Sequence, residues 1–439
     1  MMSRLPVITG LGFVTSIGHD RETVVDALRQ LRSGIDVWDP LPGVDLAVRV
    51  AGTLKGFETA GADPLRWSWP GGWVIDRGLL RRLPSHGVYA AIALEQALAE
   101  AGVKPDDLRD GRTGLFSASA GSPYFQKHHL NALEATRWKR CHPMGVVMSA
   151  AGTLGFNFAV HYGITGSVCG FVSACTSGSH ALGAAADAIR LGRQDRVLVV
   201  AAEELTPETV LPFAGMGALS TNPDPRTASR PFDRNRDGFV ATGGAVAVIL
   251  EAAEAVSKRG GAAQSCLLGW GQAADGHSVA QPHPEGDGLA RAMRLCLEDA
   301  AVDPSQVEYV NAHAPSTPAG DVAEARALVS VFCGHRPLVS STKALTGHGL
   351  SMAGLMEAAI CSLAVSEGMI PGQAGLVRPD AEAEALYLPR VTLDRTPRCV
   401  LNNASGFGGS NVCHLFAPVP SDSATRLSAL PDSSPVHPS

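Results

Sequence analysis

The chain has 439 residues, of which 45% are hydrophobic and 18% charged, a composition typical of a globular protein with a large core. The net charge of −6 argues against a general nucleic-acid binder, which would need clustered positive charge. No apolar stretch reaches the length of a membrane span, and the nine cysteines form no C-x-x-C pair, so neither a zinc site nor a disulfide framework is indicated. We therefore expect a cytoplasmic protein with free cysteines and no metal.

Short apolar runs alternate with helical patterns along the first part of the chain. Strands are predicted over residues 7–10, 113–118, 166–173, 196–202, 239–251 and 265–273, and helices over residues 21–31, 87–101 and 176–191. The first strand is expected to end in a glycine turn, because Gly10 and Gly12 interrupt the apolar run. The stretch from Gly52 to Gly72, rich in glycine, tryptophan and proline, predicts an irregular surface insertion.

The second part repeats the alternation. Helices are predicted over residues 288–300, 319–332 and 352–367, and strands over residues 307–311, 338–341, 399–403 and 412–416. Strands that alternate with helices predict an α/β fold with packed, mostly buried sheets. Residues 418–439 contain five prolines and six serines without periodicity, which predicts a disordered tail.

Cys175 lies where a predicted strand passes into a predicted helix. The free N–H groups and the dipole of the helix N-terminus would favour the ionised thiolate. The small residues Thr176, Ser177 and Gly178 would let the chain turn sharply and expose the sulfur. A cysteine is more often a core residue, so the position at this turn is what marks Cys175 as a candidate nucleophile.

Three downstream segments carry side chains that suit acyl transfer through a thioester. His313 follows a strand, and His348 lies between Gly347 and Gly349, which would allow a ligand to approach closely. Lys343 follows a short strand. Glu324, on the helix predicted after His313, could neutralise Lys343 if both residues were buried. Each of these residues alone would more often be structural or a surface charge.

A glycine-rich turn, Gly406-Phe407-Gly408-Gly409, lies between two apolar strands and could aim backbone N–H groups at an oxyanion. Competing motifs are weak. Gly10-Leu11-Gly12 lacks the third glycine of a dinucleotide fingerprint, and no G-x-S-x-G elbow or P-loop is present. His128-His129 lacks companions at metal-ligand spacing, so no metal is assigned.

Taken together, these segments resemble a β-ketoacyl-acyl-carrier-protein synthase, a condensing enzyme of the thiolase superfamily. The resemblance covers roughly residues 4–417 and includes Val7–Gly12, Arg230–Asp233 and Arg236–Phe239. Gly121–Gln126 and Ala241–Gly244 resemble the type I-like elongating synthases in particular.

The resemblance implies a thiolase-like, five-layered α-β-α-β-α fold built from two similar halves. Residues 1–255 would form the half with the nucleophilic cysteine, and residues 256–417 the half with the two histidines and the lysine. It also implies a homodimer, or a heterodimer with a ketosynthase-like subunit. No cofactor is expected, because phosphopantetheine would arrive on an acyl carrier protein.

By the same resemblance, Cys175 would hold an acyl chain, and His313 and His348 would stabilise the enolate formed when malonyl carrier protein loses CO₂. Lys343 and Glu324 would maintain the net charge of the site and the protonation state of the two histidines. The backbone N–H groups of Cys175 and Phe407 would form the oxyanion hole, with Gly406 and Gly408 beside it and Phe407 as a gate.

The sequence departs from the family pattern at the predicted arm-binding site. Thr317 would bind the pantetheine arm, but Pro315 replaces a second threonine, and Ser351 and Met352 stand where small residues are usual. These departures favour a specialised polyketide or polyene substrate as an alternative to a fatty acid. Basic residues are candidates for docking an acidic carrier protein: Arg77, Arg81, Arg82, Arg137, Lys139 and Arg140.

Two other functions stay open at this point. The chain could be a non-catalytic partner subunit that determines chain length, although such subunits typically lack the nucleophile. It could also be a thioester hydrolase that uses Cys175 and His313, which would not need Lys343 or a second histidine.

Overall fold

The computed structural model describes residues 4–420. The predicted tail lies outside the described residues from position 421 onward, and residues 418–420 form no helix or strand. The strands are β1 (Pro6–Val14), β2 (Ile35–Val37), β3 (Val50–Gly52), β4 (Thr113–Ala118), β5 (Val168–Phe171), β6 (Arg196–Glu203), β7 (Gly244–Ala252), β8 (Ser265–Ala274), β9 (Tyr309–Asn311), β10 (Leu338–Ser340), β11 (Val400–Gly406) and β12 (Ser410–Ala417).

The α-helices alternate with these strands, as the periodicity predicted. They are α1 (Arg21–Gln30), α2 (Arg77–Leu80), α3 (Ser85–Ala101), α4 (Pro123–Thr136), α5 (Gly145–Ser149), α6 (Thr153–Tyr162), α7 (Ser177–Arg190), α8 (Pro207–Val210), α9 (Ala253–Lys258), α10 (Asp287–Ala300), α11 (Pro318–Phe332), α12 (Lys343–Thr346) and α13 (Ala353–Ser366). None of the helices within residues 4–420 is both long and apolar enough to cross a membrane.

Ten strands form two five-stranded halves with the same order and directions. The first half runs β1-β7-β6-β4-β5, and the second runs β8-β12-β11-β9-β10. In each half the first two neighbouring pairs are antiparallel and the last two are parallel. The halves join through a short pairing of β1 with β8, at Val7–Cys266 and Ile8–Ser265.

Helices cover both faces of each half, which gives the predicted five layers. Helix α3 packs on β1 and β7, and α10 packs on β8 and β12. Between the halves, α7 and α13 pack against each other and against strands from both sides. This central layer lies in a core of fully buried side chains such as Leu182, Met356 and Ile360. The thiolase-like α/β fold is thereby confirmed.

Two predicted strand boundaries were wrong. β1 does not turn at its glycines but continues to Val14. A Cβ at Gly10 would lie 2.0 Å from the carbonyl oxygen of Ala97, and one at Gly12 would lie 1.8 Å from that of Ala93. The glycines therefore let α3 lie directly on β1.

The strand predicted from residue 239 begins only at Gly244. Residues 239–242 instead form single bridges, among them one between Ala241 and His348. This segment therefore belongs to the surroundings of the site rather than to the regular sheet.

Candidate active site

Cys175 and His348 meet at the junction of the two halves. Nε2 of His348 lies 3.1 Å from the sulfur of Cys175. Cys175 precedes α7, and the turn before it places Ala174 at φ +47°, a conformation that is rare for a residue with a side chain. The hydroxyls of Thr176 and Ser177 donate to the carbonyl oxygens of Ser173 and Ala174, both at 2.7 Å. These bonds stabilise the sharp turn that presents the thiol.

His313 lies beside His348, with the two rings perpendicular and their centroids 5.3 Å apart. The segment of His313 is held by Glu324, whose carboxylate accepts from the backbone N–H groups of His313 (3.0 Å) and Ala314 (2.6 Å). The amide of Asn403 donates to the same carboxylate at 3.0 Å. Glu324 therefore fixes the backbone that carries His313.

The predicted pairing of Lys343 with Glu324 is wrong. Lys343 is fully buried and forms an ion pair with Glu357 on α13, with Nζ 2.5 Å from Oε1. Glu324 is already occupied by the backbone groups at His313, so it serves the loop rather than the lysine. Sequence reasoning missed Glu357, although it is the single charged residue in the apolar sequence of α13. A charge within such a helix is a signal for a buried partner.

Both imidazoles are neutral. Burial, with Lys343 and then His348 adding to it, holds the pKa of His313 well below its ordinary value. Burial and Lys343 lower the pKa of His348 in the same way. Since a neutral imidazole offers one N–H and one acceptor nitrogen, the pair can both donate to an oxyanion and accept a proton.

Cys175 is not a resting thiolate, contrary to the expectation from the helix N-terminus. Cys175 is half-buried and faces the cavity. Burial raises the pKa of its thiol to about 12. Lys343 opposes this shift, and Glu203 and Glu357 add to it. A helix N-terminus stabilises an anion by about 2 kcal/mol at most. The shift from 9.0 to about 12 corresponds to roughly 4 kcal/mol, so burial outweighs the helix.

The glycine-rich turn between β11 and β12 covers the nucleophile. A Cβ at Gly406 would lie 3.0 Å from the backbone nitrogen of Cys175, so only glycine lets the turn approach this closely. Gly408 has φ +78°, and its N–H donates to the carbonyl oxygen of Val279 at 2.7 Å. Phe407 is 38% exposed, and its ring lies 6.0 Å from that of Phe213. The structure thus brings the predicted turn to Cys175.

A cavity of about 350 Å³ connects these groups. Its lining includes Cys175, His313, His348, Gly406 and Phe407. Apolar side chains form much of the remaining wall: Phe213, Met216, Phe239, Pro282 and Leu350. Phe239 stacks edge-on against His348 at 5.2 Å. Sequence reasoning did not assign roles to Phe213 and Phe239, although Phe239 ends the Arg236–Phe239 segment that carries the family resemblance.

Thr317 and Pro315 also line the cavity. The Thr317 hydroxyl accepts from the backbone N–H of Gly320 at 3.2 Å and so caps α11. Its hydrogen is left to donate to a ligand. Pro315 has a pyrrolidine ring where the family pattern has a threonine hydroxyl, so it cannot donate the hydrogen bond that the threonine would make.

Five of the six candidate docking residues are exposed and lie away from this lining, whereas Arg82 is half-buried. Arg77 is in α2 and Arg81 directly follows it, whereas Lys139 and Arg140 follow α4; all four are exposed. None of them lines the cavity or forms an ion pair within residues 4–420. Within the same residues, no group of three or more His, Cys, Asp or Glu side chains could hold a metal ion.

Comparison with known families gives two adjoining matches. Residues 6–255 match the N-terminal domain of beta-ketoacyl synthase, and residues 264–377 match its C-terminal domain. 3-Oxoacyl-[acyl-carrier-protein] synthase 1 of Escherichia coli K12 is 36% identical over 410 residues, which are 92% of this chain and 97% of that protein. The synthase 1 of Haemophilus influenzae is 34% identical over 418 residues, covering 94% of this chain and 98% of that protein.

Solved structures give the same result. A beta-ketoacyl synthase from Burkholderia phymatum superposes with a TM-score of 0.86 at 31% identity, covering 95% of this chain and 100% of that chain. The ishigamide ketosynthase/chain length factor gives 0.84 at 27% identity with the same coverage. AntDE:AntF, a type II polyketide synthase acyl-carrier protein in complex with its ketosynthase, gives 0.83 at 25% identity, again with the same coverage.

Proposed function

The chain belongs to the β-ketoacyl synthase family, and we propose that it performs the decarboxylative condensation of an acyl thioester with malonyl carrier protein through Cys175. The product is a 3-oxoacyl carrier protein, which makes the enzyme an acyltransferase. The observation that carries the proposal is one cavity that contains a thiol, two neutral imidazoles and a glycine-rich turn.

The first half-reaction loads Cys175. The sulfur attacks the carbonyl carbon of the acyl thioester and passes its proton to Nε2 of His348, 3.1 Å away. The backbone N–H groups of Cys175 and Phe407 stabilise the tetrahedral oxyanion, a role for which loss of one donor costs about 100-fold or more in rate. The carrier thiolate leaves with the proton from His348, which returns to its neutral form.

The second half-reaction forms the carbon–carbon bond. Malonyl carrier protein enters the cavity, and its carbon–carboxylate bond breaks to release CO₂. For this step His348 carries its proton on Nε2 rather than on Nδ1, and the N–H groups of His313 and His348 stabilise the resulting enolate, whose carbon attacks the acyl group on Cys175. Expulsion of the sulfur gives the 3-oxoacyl product, and a proton from water restores the thiol. Burial, with the positive charge of Lys343 adding to it, lowers the pKa of both imidazoles and keeps them neutral.

An acyl carrier protein is the proposed partner, and phosphopantetheine arrives on it, so no resident cofactor is proposed. The AntDE:AntF ketosynthase forms such a complex. Thr317 is proposed to bind the arm, and Arg77, Arg81, Lys139 and Arg140 to dock the carrier. The cytoplasm is the proposed location, because a carrier-dependent synthase works where its carrier is present.

A second copy of the chain, or a ketosynthase-like subunit, is proposed to bind at β5. This strand is the outer edge of the first half. Val168, its first residue, is 45% exposed, and Val172, directly after it, is 71% exposed. An exposed apolar sheet edge is normally covered in solution. The ishigamide ketosynthase is paired with a chain length factor.

Relatives of the chain include both synthases named for 3-oxoacyl products and a polyketide ketosynthase. The substrate is therefore proposed to be an acyl chain of either fatty-acid or specialised polyketide type. A non-catalytic chain-length subunit is disfavoured because Cys175 is present and in contact with His348. A hydrolase is disfavoured because the site includes the second histidine and the buried lysine pair.

Condensation assays with acyl and malonyl carrier proteins test this function. The unaltered chain should form 3-oxoacyl product, whereas Cys175→Ala should lose condensation and still release CO₂ from malonyl carrier protein. Cys333→Ala is the matched control, because Cys333 is free and exposed outside the cavity. Free acid as the only product, or full condensation by Cys175→Ala, would contradict the proposal.

A further inference from the structure

A buried carboxylate on β6 reaches the turn that follows His348. Glu203 is the last residue of β6 and is fully buried. Its Oε1 accepts from the backbone N–H of Ala120 at 3.0 Å and from the hydroxyl of Ser351. Its Oε2 has no hydrogen-bond partner among the described residues. A half-satisfied carboxylate beside an active site is costly to bury, so its position needs an explanation.

The turn bearing Ser351 contacts the elements that carry both reactive groups. It spans Leu350–Met352, two residues after His348. It packs against β6, β7 and α7, and α7 is the helix that begins two residues after Cys175. In α7, a Cβ at Gly178 would lie 3.2 Å from the carbonyl oxygen of Ser351, so helix and turn are in direct contact. A displacement of this turn would therefore change how His348 meets Cys175.

We propose that Glu203 is a positioning residue of the active site: through Ser351 it holds the turn that places His348 against Cys175. This inference rests on the proposed function, since it assumes that Cys175 is the nucleophile. Ser351 is one of the two residues, with Met352, that the sequence singled out as unusual in this turn. The hydrogen bond to Glu203 gives it a role.

The charges around Glu203 support this assignment. Burial raises the pKa of Glu203 to about 7, opposed by Ser351, by His86 from α3 and by the N–H of Ala120, while Glu204, the residue after β6, adds to the shift. Burial also raises the pKa of the Cys175 thiol; Lys343 opposes that shift, and Glu203 and Glu357 add to it.

Alkylation of Cys175 by iodoacetamide tests the positioning without substrate. Ser351→Ala should lower the alkylation rate by about threefold to tenfold, because a displaced turn weakens the 3.1 Å contact through which His348 takes the thiol proton. Ser362→Ala is the matched control, because that buried hydroxyl bonds Ser265 outside the site, and it should leave the rate unchanged. An equal rate in Ser351→Ala and the unaltered chain would overturn the proposal.

Steady-state kinetics test the positioning. Ser351→Ala should lower kcat by about threefold to tenfold with KM for malonyl carrier protein unchanged, since one hydrogen bond is lost away from the bound substrate. Ser362→Ala is the control, because that buried hydroxyl bonds only Ser265 outside the site, at 2.8 Å. If both serine variants lose kcat equally, or lose it only in proportion to their thermal stability, Ser351 has a merely structural role and the proposal fails.

The two tests separate this inference from the proposed function. Alkylation reads the state of Cys175 without any substrate. A lowered alkylation rate in Ser351→Ala supports the positioning role even if the unaltered chain does not condense acyl and malonyl carrier proteins, a result that would count against the proposed function instead. If the unaltered chain condenses normally and the variant has an unchanged alkylation rate, the Glu203 proposal is contradicted and the proposed function is not.

Discussion

Burial decides the protonation state of the reactive side chains. Because the pKa of Cys175 is raised to about 12, the thiolate fraction should grow throughout the neutral and mildly alkaline range. We predict that the rate of Cys175 alkylation rises about tenfold per pH unit up to about pH 9, without a plateau. The measurement is a pH series with iodoacetamide and mass detection of modified Cys175. A plateau between about pH 6 and 8 would indicate a preformed thiolate and contradict the account.

Pro315 is a residue whose substitution should restore an interaction. It lines the cavity near Thr317 and cannot donate a hydrogen bond. We predict that Pro315→Thr lowers KM for the carrier protein by about threefold to tenfold, the worth of one neutral hydrogen bond. The value of kcat should not change, because the arm is held equally in ground and transition states. An unaltered KM in carrier titrations would show that this position does not contact the arm.

The contact between α12 and α13 depends on one buried ion pair. Glu357→Gln would leave the Lys343 charge without its partner, and breaking a buried pair in this way typically costs about 3–5 kcal/mol. We predict a loss of this size in the free energy of unfolding, measured by urea denaturation. Glu357→Gln combined with Lys343→Met should recover most of the stability but no condensation. If the single variant were as stable as the unaltered chain, the buried pair would not be what holds these helices together.

The β11–β12 turn can be tested by adding one methyl group. Gly406→Ala would place a Cβ 3.0 Å from the Cys175 backbone nitrogen and push the turn away from the oxyanion hole. Because loss of one oxyanion donor costs about 100-fold, we predict a fall in kcat approaching that factor. Gly215→Ala is the control, since a Cβ there would meet nothing within 4 Å. Equal kcat values for the two variants would remove Phe407 from the oxyanion hole.

Periodicity was sufficient to predict most elements of the regular core, because buried strands and amphipathic helices have distinct patterns. β4 was predicted with its observed limits, and α10 and α11 within one residue at their starts. Periodicity missed α4, α5 and α6, whose sequences carry exposed apolar residues such as Phe156 and Val160. It also misread the glycines of β1, since close packing by a helix and a turn both select glycine.

The candidate site was predictable in its parts and not in its pairing. Cys175, His313, His348 and the Phe407 turn lie together as the family resemblance implied. The partner of Lys343 was not predictable, because Glu324 and Glu357 are both carboxylates on helices near the site. Only packing decides that Glu324 faces the His313 backbone and Glu357 faces the lysine.

The assembly of the whole molecule should depend on the β5 edge. Val168→Glu would place a charge on the exposed edge strand and oppose pairing with a second subunit. We predict that this variant sediments as a monomer, whereas the unaltered chain sediments as a dimer. Val391→Glu, at a valine that is 61% exposed elsewhere, should leave the dimer intact. A dimer in both variants would place the interface on another face.

The division of the chain at residue 255 stays a prediction about folding units. Residue 255 lies within α9 (Ala253–Lys258), between β7 and β8, and each side contributes five strands of equal order to the ten-stranded sheet. The active site lies between these sets of strands, with Cys175 before α7 and the histidines after β9 and α12. Neither half contains all the groups needed for condensation.

Acylation of Cys175 can be followed through the mass of the intact protein during one turnover. After mixing with an acyl carrier protein, the unaltered chain should gain the mass of one acyl group, located on Cys175 by peptide analysis. Addition of malonyl carrier protein should remove that mass and yield 3-oxoacyl carrier protein. An acyl adduct that forms equally in Cys175→Ala, or that is released as free acid before malonyl carrier protein is added, would contradict the account.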